Sequence, residues 1–358
     1  MTYLFFVQGE GRGHLTQALA LKAKLEERGH EILAVIAGPD PDYGLPAFFE
    51  EQFSGKLIRI SSPKFVNNKS GGGINMAASI LRSIGQLHRY YRSLKQIKKV
   101  VHEKNPEAII NFYEPLAGLY SRLYRDRRPF FCIAHQYFVE HDIFKFPASR
   151  FSDRFGFKFY NHLTAPRHSQ KIALSFTEEK DLSYKHLSVC PPLIRPDLKI
   201  LKPANGGFIL TYFLNAGYSQ EIIIWSEKNP KIKIEAFWNK PEAETTVLSD
   251  SLVFHHLHGE KFMSYLANCR AYASTAGFDS IAEAAYLQKD ILMVPTKNHF
   301  EQKCNAHDAR RAGIALTSEN FDLSLLADKE KTHSGSALKT FKEWVDNNND
   351  KILKILES

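Results

Sequence analysis

The chain has 358 residues, 44% hydrophobic and 24% charged, a balance that excludes a disordered or fibrous protein and, at this length, points to two domains of ordinary size. Its 47 Lys and Arg against 39 Asp and Glu give a formal charge of +8, which favours anionic ligands or surfaces such as nucleotide diphosphates, anionic lipid or nucleic acid, with solubility alone as the plain alternative. Cys132, Cys190, Cys269 and Cys304 lie far apart without C-x-x-C spacing, which argues against a zinc site or a disulfide framework and fits a reducing cytosol.

Met1-Thr2-Tyr3-Leu4-Phe5-Phe6-Val7 has no basic leader and runs at once into a glycine loop, so it reads as a first strand and not as a signal peptide. Strand 4–7, helix 15–27 and strand 31–37 form a βαβ pattern, which predicts a parallel sheet. Ser70-Gly71-Gly72-Gly73 looks like a loop tip. In residues 79–101, Ile80, Ile84, Leu87, Tyr91 and Leu94 recur at helical spacing among Arg82, Arg89, Arg92, Lys95, Lys98 and Lys99. Such a helix is either a basic surface for anionic lipid or an ordinary outer helix.

Residues 108–112 and 130–134 read as later strands, which makes the first half doubly wound α/β. From Cys190-Pro191-Pro192 through Pro196, Pro203 and Gly206-Gly207 periodicity breaks, as in a domain linker. Alternation then restarts with strands at 208–213, 232–237, 252–254, 271–274 and 291–294 and a helix at 280–287. Residues 335–358 carry an amphipathic helical pattern through Leu338, Phe341, Trp344, Val345, Ile352, Leu353 and Ile355. The expected division is 1–195, 196–334 and a C-terminal helix at 335–358. No run reaches the ~18 apolar residues of a membrane span.

Gly9-Glu10-Gly11-Arg12-Gly13-His14 lies between the first strand and helix, where backbone N–H groups and a helix end can approach a phosphate. Glycines there can also merely relieve crowding. His14 stands where a dinucleotide fingerprint needs its third glycine, so a dehydrogenase is rejected. The positive helix end would keep its imidazole neutral, as a general base requires. A second cluster follows in Ser274-Thr275-Ala276-Gly277-Phe278-Asp279-Ser280-Ile281-Ala282-Glu283-Ala284, a glycine turn, then a helix with a carboxylate one turn inside. A polar loop, Pro295-Thr296-Lys297-Asn298-His299-Phe300-Glu301-Gln302-Lys303-Cys304-Asn305-Ala306, follows the next strand. The ordinary fate of Glu283 would be a solvated helix carboxylate. His135 reads as a packed loop histidine or a cleft residue, and His255, His256 and His258 lack the carboxylate or cysteine spacing of a zinc site.

The Gly-x-Gly-x-Gly-His opening, the A-G-x-x-S-x-x-E-A helix and the P-x(5)-E-Q-x-x-N-A segment, in this order, resemble the GT-B glycosyltransferases. The likeness is family 28-like, nearest the branch that contains the peptidoglycan-lipid N-acetylglucosaminyl transferase. It implies two Rossmann-like domains facing a central cleft, the first for the acceptor and the second for a nucleotide sugar, with the C-terminal helix packing back on the first. It implies that His14 is the base or a phosphate-loop residue, with Glu114 as its orienting partner. Donor contacts would come from the Gly11 and Gly13 loop, Ala276, Gly277, Phe278 and Ser280, with Glu283 on the ribose, Glu301 and Gln302 on sugar hydroxyls, and Asn305 bracing the helix.

The resemblance implies no metal and no cofactor beyond the nucleotide sugar as co-substrate, UDP-linked. Its acceptor would be a lipid, glycan or small molecule, met in the cytoplasm or at the inner face of an anionic membrane, with no nucleic acid as partner. Phe213-Leu214-Asn215-Ala216-Gly217 departs from the family by lacking its glycine-serine run. A nucleotide-sugar 2-epimerase of the same fold, or a non-catalytic binding protein, is the alternative.

Overall fold

The computed structural model describes residues 1–39, 44–63, 83–213, 216–238, 244–327 and 335–358. The loop tip at 70–73, the start of the basic window at 79–82, and Leu214 and Asn215 lie outside the described residues. Two compact units emerge: one gathers the described residues up to Pro196 together with Asn348–Ser358, the other those of Asp197–Asn347.

In the first unit the strands are β1 (Thr2–Gly9), β2 (Glu31–Pro39), β3 (Leu57–Arg59), β4 (Ala108–Phe112), β5 (Phe130–Ala134), β6 (Gln170–Leu174) and β7 (Leu187–Cys190). Its helices are α1 (Gly13–Glu27), α2 (Ala47–Gln52), α3 (Leu87–Lys104), α4 (Pro115–Tyr124) and α5 (Phe151–Thr164), with a 3-10 helix at His135–Glu140. The sheet order is β3-β2-β1-β4-β5-β6-β7, and every pairing is parallel. Tyr3 to Val7 are fully buried, as are Ile109, Ile110 and Phe112, because helices cover both faces of a parallel sheet and its central strands must be continuously apolar. Those strands were legible for the same reason. The short strand β3, and β6 with its polar start Gln170-Lys171, carried too little pattern to be predicted.

In α3 the structure buries Tyr90, Ser93, Ile97 and Val101 and leaves Leu87 and Tyr91, with Ile84 just before the helix, more than half exposed. The apolar series read from the sequence is therefore largely the outer face of this segment.

The second unit follows α6 (Pro196–Lys199) with β8 (Phe208–Phe213), α7 (Ser219–Lys228), β9 (Lys233–Trp238), β10 (Thr245–Ser249), β11 (Leu252–His256) and α8 (Gly259–Asn268). Then come β12 (Ala271–Ser274), α9 (Phe278–Tyr286), β13 (Asp290–Met293), α10 (Phe300–Arg311), β14 (Leu316–Thr317), α11 (Ser324–Ala327) and α12 (Gly335–Asn347). Its order, β10-β11-β9-β8-β12-β13-β14, repeats the first sheet's reversal, with one antiparallel strand, β10, added at the edge. One core cluster packs Phe213, Ile222, Phe254, Leu292, Phe321 and Leu323.

The predicted C-terminal helix is two helices. α12 ends at Asn347 and α13 spans Lys351–Leu356, because asparagines, which compete with the helix for backbone hydrogen bonds, fill the gap. Lys24 Nζ donates to the Asn349 carbonyl at 2.5 Å, and Arg28 pairs with Asp350 at 2.7 Å. Tyr3 OH donates to the Leu356 carbonyl at 3.1 Å. These contacts hold α13 to α1 and β1 within the first unit.

A Cβ at Gly118 would lie 2.1 Å from the Leu163 carbonyl oxygen, whereas one at Gly259 would meet nothing within 4 Å. Gly118→Ala is expected to cost roughly 1–3 kcal/mol through overpacking, and Gly259→Ala to stay within about 0.5 kcal/mol. Urea denaturation of the two variants checks this, and equal stabilities would contradict it.

Candidate functional site

In a doubly wound sheet, ligands bind outside the carboxyl ends of strands where the order reverses. In the first unit that point is β1, flanked by β2 and β4. The loop after β1 stays close to the sheet: a Cβ on Gly9 would sit 2.3 Å from the Gly38 carbonyl oxygen, and Gly11 has φ +78. α1 then opens without a side-chain cap at Arg12 and without an acidic residue in its first turn, so neither a capping side chain nor a carboxylate competes with an anion for that helix end.

His14, in the first turn of α1, is 8% exposed. Its Nδ1 faces Gln17 Oε1 at 3.4 Å and its Nε2 faces the Gln136 amide nitrogen at 3.4 Å. With an amide oxygen on one side and an amide nitrogen on the other, Nδ1 carries the proton and Nε2 the lone pair. The ring stacks on Tyr113, centroids 5.4 Å apart. Tyr113 takes a left-handed φ of 64 at the end of β4, and its hydroxyl donates to Asn161 Oδ1. Asn161 Nδ2 donates to the Gln136 carbonyl at 2.8 Å. Side chains from four segments thus close a ring around the histidine.

Burial pushes the His14 imidazole down to about 4, against the raising effect of its Gln17 hydrogen bond. Desolvation of the charged ring is the leading cause of its neutrality. Burial takes the part that the sequence assigns to the helix end.

Both ring nitrogens of His14 face glutamine amides, and Glu114 starts a helix. This glutamate is fully buried and caps α4, accepting from the Leu116 backbone at 3.0 Å and from the Ser62 hydroxyl, while its backbone N–H donates to Asn111 Oδ1. A carboxylate just before Pro115 at the first helical position is a helix-start signature, a local role that here takes precedence over the expected one. Gln17, Tyr113, Gln136 and Asn161 were not read as site residues. Only Gln17, one turn after His14, was within reach of spacing arguments.

In the second unit the reversal lies at β8, between β9 and β12. β12 ends at Ser274, and Gly277, whose N–H donates to the Thr275 carbonyl at 2.7 Å, opens α9 without a side-chain cap. A Cβ on Gly277 would meet nothing within 4 Å, so open space lies beside this helix end. Ala276 and Phe278 are buried and Ser280 is partly exposed. Glu283 is only 3% exposed and is not the solvated carboxylate of the ordinary reading.

Asn305 Nδ2 donates to the Ala276 carbonyl at 3.0 Å, so α10 is tied to the turn before α9. Gln302 Oε1 accepts from the Thr296 backbone at 2.8 Å, and its own N–H donates to His299 Nδ1 at 3.4 Å. The Gln302 oxygen therefore shapes the loop. Glu301 is half-buried in the same first turn. Burial also pushes His299 down to about 4.

His135 is a packed histidine, with Nδ1 2.7 Å from the Leu174 carbonyl oxygen. His255 faces Glu235 at 2.5 Å, and His258 caps α8. Among the described residues no three His, Cys, Asp or Glu side chains gather as a metal-binding group.

The fold of this chain is that of several solved glycosyltransferases. The glycotransferase of kitacinnamycin is 14% identical with a TM-score of 0.63, the match covering 97% of this chain and 95% of that one. The spinosyn rhamnosyltransferase in complex with thymidine diphosphate is 11% identical with a TM-score of 0.62, over all of both chains. MurG of Acinetobacter baumannii is 14% identical with a TM-score of 0.56, over 96% and 94%. No curated protein matches the chain in sequence. Residues 1–330 match the model of glycosyl transferase family 1, and with the two reversal-point sites this carries the conclusion: the chain belongs to glycosyl transferase family 1 and is a glycosyltransferase.

Proposed function

We propose that the enzyme moves a sugar from a UDP-linked donor to an acceptor hydroxyl, with His14 as the base. The observation that carries this reading is the His14 imidazole, neutral through burial and held with its Nε2 lone pair free of a proton. In the reaction the acceptor hydroxyl displaces the Gln136 amide from Nε2, which takes the hydroxyl proton as the acceptor oxygen bonds to the anomeric carbon, and the nucleotide diphosphate leaves with the electrons of the broken bond. The backbone N–H groups opening α9 at Gly277 and Phe278 would offset the charge on that leaving group, with Glu283 holding the ribose and Glu301 and the Gln302 amide nitrogen the sugar.

The spinosyn rhamnosyltransferase bound to thymidine diphosphate favours a nucleoside diphosphate as the leaving group. The nucleotide sugar is a co-substrate, and the reading calls on no cofactor or metal. It extends to an acceptor carried on a lipid and reached at the inner face of a membrane. Among the described residues no helix is long and apolar enough to cross a membrane.

UDP or a UDP-sugar is expected to raise the melting temperature of the wild type and to lose that effect in Glu283→Ala. A panel that shifts with no nucleotide would remove the donor assignment. His14→Ala is expected to lower kcat by roughly 100-fold or more with KM little changed, and near-normal turnover would remove the base assignment. Incubation with the donor alone separates transfer from epimerisation.

His14 also fixes a pH dependence. Its unfolded value is 6.5 and its folded value about 4, so between these pH values the unfolded chain binds a proton that the folded one refuses. The stability from burying the neutral ring is present above pH 6.5, falls as pH drops towards 4, and levels below. Denaturation of wild type and His14→Gln at pH 7, 5.5 and 4.5 is expected to show a shallower decline in the variant.

A further inference from the structure

Helix α5 packs inward through polar side chains and carries an apolar row on its outer face. Its inner face is set by Asn161 and Thr164, both fully buried, through the Asn161 bonds to Tyr113 and Gln136 and the Thr164 bond to Tyr137. Phe151, Phe155 and Phe159, one turn apart, point elsewhere: they are 83%, 62% and 56% exposed. Their rings stack along the row, with centroids 6.3 and 6.4 Å apart. Exposed phenylalanines in such a row mark a contact surface, since singly scattered ones need no explanation but contiguous ones do.

The same helix positions a cationic row beside them. Arg150, Arg154 and Lys158 also recur every four residues, and Arg154 and Lys158 both lie over the Phe146 ring, at 5.8 and 5.3 Å. The only carboxylate in the helix, Asp153, accepts from the Arg150 backbone at 3.3 Å. On α3 of the same unit, Leu87 and Tyr91 are exposed among Arg89, Arg92 and Lys95.

We infer that α5 docks on an anionic lipid bilayer, with Phe151, Phe155 and Phe159 entering the interface and Arg150, Arg154 and Lys158 meeting the headgroups. An apolar row with a basic flank is the pattern of a helix lying in a membrane interface, and each basic residue near such a surface adds about 1 kcal/mol. Self-association through this face would set one cationic row against its copy, and protein interfaces exclude lysine from their centres. The inference names a surface for the lipid-side acceptor proposed above and rests on that reading only for its biological purpose.

The test is co-sedimentation of the full chain with vesicles of phosphatidylcholine alone and with added phosphatidylglycerol. The wild type is expected to pellet only with the anionic vesicles and to be released by salt. Phe155→Gln with Phe159→Gln is expected to weaken binding roughly tenfold, and Lys158→Glu at least about fivefold. Thermal unfolding and the nucleotide-induced shift, measured on the same samples, are expected to stay as in wild type, which separates this surface from the donor site and from folding. Failure of the wild type to bind, equal binding to both vesicle types, unchanged binding by the phenylalanine variant, or a wild-type dimer that this variant disperses would each overturn the proposal.

Discussion

Strand β1 has parallel partners on both sides, β2 and β4, and the chemistry of the first unit is arranged around that reversal. Because the connections from neighbouring strands diverge there, the space beyond the carboxyl ends stays open without any residue being selected to open it. What residues must do is let backbone come close. Gly9 does so against the Gly38 carbonyl, and Gly38 in turn leaves room for Ser62 and Glu114, whose atoms would lie 2.7 and 3.3 Å from a Cβ there. A larger side chain at Gly9 would push the loop before α1 off the Gly38 carbonyl, and one at Gly38 would push on Ser62 and Glu114.

His14 shows how a buried titratable group is kept useful. Removing an imidazole from water favours its neutral form, and two glutamine amides on opposite ring nitrogens, an oxygen at one and a nitrogen at the other, select one tautomer. The Gln17 amide raises the affinity of the ring for a proton, but burial outweighs it. Glu114, the carboxylate that could have raised it further, is engaged with Ser62 and the start of α4. The environment thus favours a neutral ring.

The second unit solves its positioning problem with amides too. Asn305 fixes α10 to the turn at Ala276, and Gln302 fixes the loop before α10. Two helix starts, Gly277 and His299, are held in place by side chains from one helix. Loops would otherwise be the most variable parts of the fold.

The sequence by itself determined the twin α/β pattern, most central strands and both glycine turns, because fully buried strands are continuous apolar runs and turns before helices need glycine. Strands 108–112, 130–134, 208–213 and 271–274 stand where the pattern placed them. It did not determine β3, β6 or β7, whose short runs carry little period, nor the break in the C-terminal helix at Asn348 to Asp350. Only the tertiary structure decided who surrounds His14. Tyr113, Gln136 and Asn161 come from segments that spacing along one helix cannot relate, and the same structure gave Glu114 to a helix cap. Tertiary packing also decided which face of α5 is outer, since a helix rich in phenylalanine on two sides does not say which side meets the sheet until its buried hydrogen bonds are made.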